Sequence, residues 1–301
     1  METVIRCKIC HSHALLTLKR YNAEDRLEPV ARAIIARLHL PTPLIIHLVV
    51  CRKCGFVFYQ NMLTLEEMRR FYKEEARYAK PAAHQLKMGR LWELEKMIKF
   101  LTRWLPSERV KTALDIGSGD FVALERVVQL HPHASYHAVD PSYPHRSHRG
   151  MRVFQTMVED WQPSSQYDLV MLTHVLEHVG HLETFMKKVT QSMNDRGYLY
   201  VEIPFQVGPG LLLTRPDNIQ HVNYFTPQSI TNLLASHGLH VTKLEFDTTA
   251  YSKNGMPGMI RLLARKQQIG KRPFSGGLLP TLFYLTNPLY LVRSKLVGSS
   301  V

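Results

Sequence analysis

The sequence predicts an α/β fold: a seven-stranded, mostly parallel sheet with helices on both faces, preceded by a small four-cysteine module and a helical linker. Three observations predict it. From Val110 onward, apolar runs of strand length alternate with stretches of helical period, the pattern of a parallel sheet covered on both sides. The first of these strands ends in Gly117-Ser-Gly119 and the second in Asp140. All four cysteines fall within the first 54 residues, as two CxxC pairs.

The 301 residues suffice for one large α/β domain and a smaller module. Hydrophobic residues make up 45% and charged ones 21%, which excludes a mainly disordered chain. The start, METVIRCKIC, lacks the apolar core of a signal peptide, and no run reaches the ~18 apolar residues of a membrane span. A cytoplasmic location is the resulting expectation. The formal charge of +13 favours polyanionic partners such as nucleic acid, an anionic membrane or phosphorylated small molecules. Lys and Arg are scattered, however, so a solvated basic surface is the competing reading.

Cys7-Lys-Ile-Cys10 and Cys51-Arg-Lys-Cys54 are separated by 40 residues. Each CxxC folds into a tight knuckle that offers two thiolates from one side, and two facing knuckles complete a tetrahedral sulfur shell suited to Zn²⁺. Gly55 permits the turn after the second pair, whereas His11 follows the first and makes that knuckle less regular. A redox CxxC is the rival. With four thiolate ligands no position stays open for water, so the expected zinc is structural. Between the pairs lie a helix, Pro29 to Leu38, and a β-like run, 44–50.

The reading divides the chain into a module (1–62), a helical linker (63–108), a nucleoside-binding domain (109–267) and an apolar tail (268–301). In the linker, Thr64-Leu-Glu-Glu67 opens a helix with a capping box. A polar connection runs from Glu75 to Lys87, and a second helix covers about Gly89 to Leu105. The strands are then 110–116, 135–141, 151–156, 167–173 and 197–203, the last stopped by Pro204. Helices cover Phe121 to Leu130 and the stretch after the fourth strand through Met193. A Gly/Pro-rich loop, 204–218, precedes a helix from Thr226-Pro227 to Gly238, and strands at 239–246 and 259–266 follow without a helix between them. One of this last pair is therefore antiparallel.

Gly117 and Gly119 remove Cβ atoms where a first strand turns into a first helix, so the backbone can approach a ligand closely. Asp140, 21 residues after Gly119, can bridge the two hydroxyls of a ribose. Glu159-Asp160, after the third strand, can reach an adenine amino group. The third glycine of the dinucleotide fingerprint is absent, Val122 standing in its place. A pyrophosphate would be held poorly there, and a phosphate-free nucleoside fits better.

Through LDIGSGDF, the AVDP acid and YDLVMLTHVLEHV, residues 110–266 resemble the class I S-adenosylmethionine-dependent methyltransferases, which have a Rossmann-like sheet. The resemblance implies that Asp115, Gly117 and Gly119 wrap the methionine end of the cofactor. It also implies that Asp140 holds the ribose, that Asp160 meets the adenine edge, and that Thr173 and His174 line the floor.

On the substrate side, Pro216 to Gln228 gathers groups able to bond or move protons, and His178 lies at the same rim after the fourth strand. Methyl transfer aligns a nucleophile with a sulfonium and, where the acceptor atom carries a proton, removes it. Histidine suits that role near neutral pH. His221 is the expected base, with His178 and Tyr224 orienting the substrate. With 16 histidines in the chain, packing roles compete with these. The spaced CxxC…CxxCG module, the tyrosine-containing link, the Glu-His after strand four and His-x-x-Tyr-Phe-Thr-Pro resemble a narrower family. These are the sugar C-methyltransferases acting on nucleotide-linked deoxysugars, with relatives in glycan and natural-product pathways. That similarity implies His178 and His221 at the active site, with Tyr78 contributing. The chain departs from it at Gln220, where the family often has Glu, so O-methylation stays as open as C-methylation.

The tail, rich in Leu, Tyr and Phe, either packs on the core or lies on a membrane surface, which Lys271, Arg272, Arg293 and Lys295 would suit. A zinc-bearing RNA methyltransferase is the enzyme rival. Against it, the Asn/Asp-Pro-Pro-aromatic sequence of exocyclic-amine methylation is replaced here by Thr173-His-Val-Leu. A non-catalytic scaffold or membrane adaptor is the remaining alternative.

Overall fold

A computed structural model of the chain describes residues 1–26, 29–40, 42–78, 88–141, 147–148, 150–213, 219–247, 258–266 and 277–286. The N-terminal module comprises β1 (Glu2–Thr3), β2 (Leu15–Asn22), α1 (Pro29–Arg37), β3 (Ile45–Cys51), β4 (Val57–Tyr59) and β5 (Asn61–Met62). β2, β3 and β4 form an antiparallel meander in which the apolar run of β3 is largely buried. Its fourth strand comes from far along the chain: β12 (Asn223–Tyr224) pairs with β4, Asn223 opposite Phe58 and Tyr224 opposite Val57. The sheet of the module is thus completed by a segment of the large domain.

In the linker, α2 (Leu65–Tyr78) begins with the expected capping box. The Thr64 amide donates to Glu67 Oε2 at 2.7 Å, and the Glu67 amide donates to Thr64 Oγ1 at 3.2 Å. The helix continues through residues expected as polar connection. Residues 79–87, with His84, lie outside the described residues, as does the side chain of Tyr78. α3 (Met88–Trp104) follows.

The large sheet contains β6 (Thr112–Ile116), β7 (Ser135–Val139), β8 (Ser147–His148), β9 (Met151–Phe154), β10 (Tyr167–Thr173), β11 (Met193–Phe205), β13 (Leu239–Asp247) and β14 (Gly258–Lys266). Its order is β13-β14-β11-β10-β6-β7-β9-β8. The five strands β9, β7, β6, β10 and β11 are parallel, and β14 enters antiparallel between β11 and β13. The seven expected strands are all present. The eighth, β8, is a two-residue antiparallel addition at the edge.

Between them run α4 (Val122–Leu130), α5 (Leu182–Gln191), α6 (Pro209–Leu213) and α7 (Pro227–Ser236), and α8 (Leu279–Thr286) closes the described chain. Two boundaries differ from expectation for clear reasons. The helix after β10 starts only at Leu182, because His174 turns left-handed at φ 57° and the chain makes turns before it can coil. β11 starts at Met193, which pairs with Tyr167, and it runs through Pro204 to Phe205. Pro204 is tolerated there because β10 ends opposite Glu202, leaving only β14 alongside. α6 lies in the stretch expected as loop.

Side chains alternate across the sheet as the pleat demands. Ala113, Leu169, Met171 and Tyr200 cluster with α3 and α4, while Leu114, Val170, Leu172 and Val201 cluster with α5, α7 and the N-terminal module. α8 docks on that module: Thr281 Oγ1 donates to the Gly55 carbonyl at 2.7 Å, and Leu285 is buried. Part of the tail therefore packs on the core, leaving Leu279 and Phe283 outward. Lys271, Arg272, Arg293 and Lys295 fall outside the described residues. Among those described, no helix is long and apolar enough to cross a membrane.

Candidate active site

The two cysteine knuckles face each other. Cys7 Sγ lies 3.5 Å from Cys54 Sγ, Cys10 Sγ lies 3.5 Å from Cys51 Sγ, and all four sulfurs are within 4.8 Å of one another. Contact with Cys10 pushes the Cys51 thiol down and the Cys54 thiol up. The knuckles are closer to equivalent than the sequence suggests. The His11 amide donates to Cys7 O at 3.0 Å just as the Gly55 amide donates to Cys51 O at 2.9 Å. His11 takes the same left-handed turn (φ 58°) that glycine takes at 55 (φ 73°).

The glycine loop, Asp140 and Thr173 lie at the carboxyl ends of β6, β7 and β10, where open α/β sheets receive ligands. Gly117 has φ 77°, and a Cβ there would stand 2.6 Å from Val175 Cγ2, so the loop can lie against the β10 side only without one. At Gly119 (φ 55°) a Cβ would meet nothing within 4 Å. That backbone borders open space. Its amide donates to Asp140 Oδ2 at 2.8 Å, which fixes the carboxylate at the tip of β7 against the glycine loop. Asp115 is buried at the end of β6. Thr173 ends β10, and its buried Oγ1 has no hydrogen-bond partner among the described residues. A glycine edge over open space and an unanswered buried hydroxyl fit a nucleoside ligand with a polar tail.

After β9 the two acids divide. Asp160, the expected adenine contact, is ion-paired with Arg69 of α2 and about 42% exposed. Glu159 is the more buried, and burial pushes its carboxyl up. Neither its Oε2 nor Trp161 Nε1 has a hydrogen-bond partner among the described residues.

Beyond β10 the chain gathers the histidines. Glu177 is 1% exposed, and neither carboxylate oxygen accepts a hydrogen bond from the described residues. His174 Nδ1 lies 3.3 Å from its Oε1 and His178 Nε2 4.0 Å. Burial pushes Glu177 up, but His174, His178 and His221 outweigh it and hold the carboxyl at about 2. His221 meets His178 edge to face, the ring centres 4.6 Å apart. Burial, with His178 adding to it, lowers His221 to about 4. Its Nδ1 lies 3.0 Å from Gln206 Oε1, so the N–H is assigned there and Nε2 carries the lone pair. His178 Nδ1 is 3.5 Å from the Tyr72 hydroxyl.

Tyr224, expected to orient the substrate, does something else. It is buried in β12, and its hydroxyl donates to Tyr59 at 2.6 Å, which also accepts from Tyr21 at 2.8 Å. The phenol points into the N-terminal module because β12 is that module's edge strand. Sequence reasoning assigned no chemical role to Glu177, Gln206 or Tyr72. The three-residue spacing of His174 and Glu177 was the available signal for the first. Gln206 and Tyr72 carried none, since each reaches the histidines from a separate segment.

A family model described as a methyltransferase domain matches residues 83–244. No curated protein matches the chain. Among solved structures, the 1,6-didemethyltoxoflavin-N1-methyltransferase of Burkholderia thailandensis is 14% identical, with 71% of this chain and 96% of that one covered at a TM-score of 0.53. That likeness shows a shared fold. Human N-acetylserotonin methyltransferase is 18% identical over 68% of this chain and 61% of its own, at 0.49. The N-methyltransferase NodS of Bradyrhizobium japonicum is 16% identical over 58% and 98%, at 0.44. The family match covers more than half the sequence and contains the glycine loop, Asp140 and the histidine cluster, so the chain belongs to the methyltransferase-domain family, within the class I S-adenosylmethionine-dependent enzymes.

Proposed function

We propose that this enzyme methylates a small hydroxylated acceptor, a nucleotide-linked sugar, glycan unit or related metabolite, at oxygen or carbon. We further propose that His221 draws the acceptor's proton. The reading is carried by the pair His178 and His221, set edge to face beside buried Glu177 at the end of the strand that floors the cofactor crevice. S-adenosylmethionine supplies an electrophilic methyl on a sulfonium that leaves as a neutral thioether. The chain's own residues do the remainder. Asp140 holds the ribose hydroxyls, Asp115, Gly117 and Gly119 surround the amino-acid end, and Thr173 and His174 line the floor. Asp160 keeps its proposed place at the adenine edge, with Glu159 beside it. His221, neutral because it is buried, presents Nε2 to the acceptor while Gln206 fixes its tautomer.

The four cysteines fit a structural zinc. With Zn–S near 2.3 Å a tetrahedral shell has sulfurs about 3.8 Å apart, close to the 3.5 Å contacts of the facing knuckles. Zinc there would hold β3 and β4 in place, and through β4 the segment carrying His221. A sugar-type acceptor rests on the resemblance of the module and the His-x-x-Tyr-Phe-Thr-Pro element to sugar C-methyltransferases. A peripheral membrane contact would rest on Leu279, Phe283 and Leu213, the exposed apolar side chains of α8 and α6.

His221→Ala tests the chemistry. It is expected to keep S-adenosylhomocysteine affinity within about twofold while turnover on a sugar-nucleotide panel falls by about 10²–10⁴. Unchanged turnover removes His221 from the mechanism.

A further inference from the structure

We propose that Glu177, His178 and His221 hold a divalent first-row metal cation beside the cofactor crevice, a second metal site distinct from the four cysteines. One ligand atom from each of the three lies within 4.8 Å of the others. Two imidazoles and one carboxylate from three positions on one side of a cation leave further positions open for water or a substrate oxygen, the pattern that suits Mn²⁺, Fe²⁺ or Zn²⁺.

The electrostatics call for a cation. Glu177 is buried to 1% exposure, and the groups facing its carboxylate, His174 Nδ1 at 3.3 Å and His178 Nε2 at 4.0 Å from Oε1, are imidazoles, which compensate its charge only when protonated. A buried carboxylate is retained only when an opposite charge compensates it. The surroundings have the form of an outer ligand shell. A metal-bound histidine normally donates its other ring N–H to a fixed acceptor, and His221 Nδ1 has Gln206 Oε1 at 3.0 Å. His178 has the Tyr72 hydroxyl 3.5 Å from Nδ1 and turns Nε2 toward Glu177. His174 Nδ1, 3.3 Å from Glu177 Oε1, flanks the carboxylate from the strand end and helps to aim it.

The inference rests on the methyl-transfer reading and, for an oxygen acceptor, makes His221 a metal ligand in place of the free base, since a ligated Nε2 takes up no proton. Its Nε2 lone pair works through the cation, which lowers the pKa of an acceptor hydroxyl. The hydroxyl proton goes to solvent, the oxygen bonds to the methyl carbon, and the carbon–sulfur bond breaks with its electron pair on sulfur. A methyl ether, a neutral thioether and one released proton balance the step. The acceptor class narrows accordingly to molecules with an oxygen able to ligate the metal, a vicinal diol or hydroxy-ketone of a sugar being the natural form. The rival is a plain His174⁺–Glu177⁻ ion pair, which needs no metal.

Manganese is the probe, because it favours oxygen and nitrogen ligands and competes poorly for thiolates. Full-length protein is titrated with Mn²⁺ and the free ion read by its paramagnetic resonance signal. One saturable site per chain is expected, weakened at least about tenfold in Glu177→Gln and in His221→Ala. Retained S-adenosylhomocysteine binding in each variant certifies its fold, and His178→Gln replaces a variant that fails this check. Absence of saturable binding at millimolar Mn²⁺, or equal binding in wild type and certified variants, overturns the site. Failure of wild type to bind S-adenosylhomocysteine would instead strike the methyl-transfer reading, whatever the manganese result.

Discussion

At Gly117 an added Cβ would stand 2.6 Å from Val175 Cγ2, whereas at Gly119 it would point into open space, although both residues have positive φ. The two substitutions to alanine should therefore fail in different ways. Gly117→Ala combines left-handed strain with overpacking and should cost about 2–4 kcal/mol of stability, read by urea denaturation. Gly119→Ala adds only the strain, about 1–2 kcal/mol, and should instead weaken S-adenosylhomocysteine binding in calorimetry. Equal loss of stability in both would contradict the assigned geometry. The glycines and Asp140 were legible in sequence because spacing alone sets them at strand ends. Glu177 was not, because its meaning depends on His221 and Gln206, which reach the 174–178 turn from segments far along the chain. Tyr224 misled because a phenol near a histidine reads as substrate-facing until one knows that β12 belongs to the other sheet.

Strand and helix positions followed from periodicity where an element packs one face or two. β10 matches its expected span, and α7 begins at Pro227 with Thr226 as cap and a capping box through Ser229. Departures came where tertiary contacts decide. β11 extends at both ends because β10 and β14 offer partners there, and α5 shrinks because His174 breaks the coil. The two-residue β12 carries no periodic signal at all, yet it connects the cysteine module to His221, two residues before Asn223. Weakening the knuckles should therefore reach the histidine cluster. Cys51→Ser is predicted to lose one zinc per chain by elemental analysis and to lower Tm by several degrees, as loss of a structural metal does. Turnover should fall more than cofactor affinity. A variant that keeps its zinc and its turnover would detach the module from catalysis.

For the molecule as a whole, alternation of the pattern after Val110 was enough to give the sheet, its mostly parallel sense and the antiparallel strand near its end. What it could not give was how the parts join. The module borrows β12, α8 docks on the second knuckle through Thr281, and α2 reaches the crevice through Arg69 and Asp160. Such joints depend on single side chains and pairs of residues far apart in sequence, which leave no local period. The charge of +13 likewise has no address in the sequence. In this architecture the N-terminal module packs on the face of the sheet that carries Leu114, Val170, Leu172 and Val201, with the glycine loop and Asp140 at the sheet's carboxyl edge.

The claim on which the remainder depends is that this edge binds a nucleoside through the carboxylate of Asp140. Calorimetric titration of S-adenosylhomocysteine into wild type and Asp140→Ala tests it, with thermal unfolding as the fold control. One site per chain is predicted, weakened roughly 10–150-fold by the substitution, the loss expected for charge-assisted hydrogen bonds of about 1.5–3 kcal/mol. No heat at millimolar ligand, or the same affinity in both proteins, would contradict it.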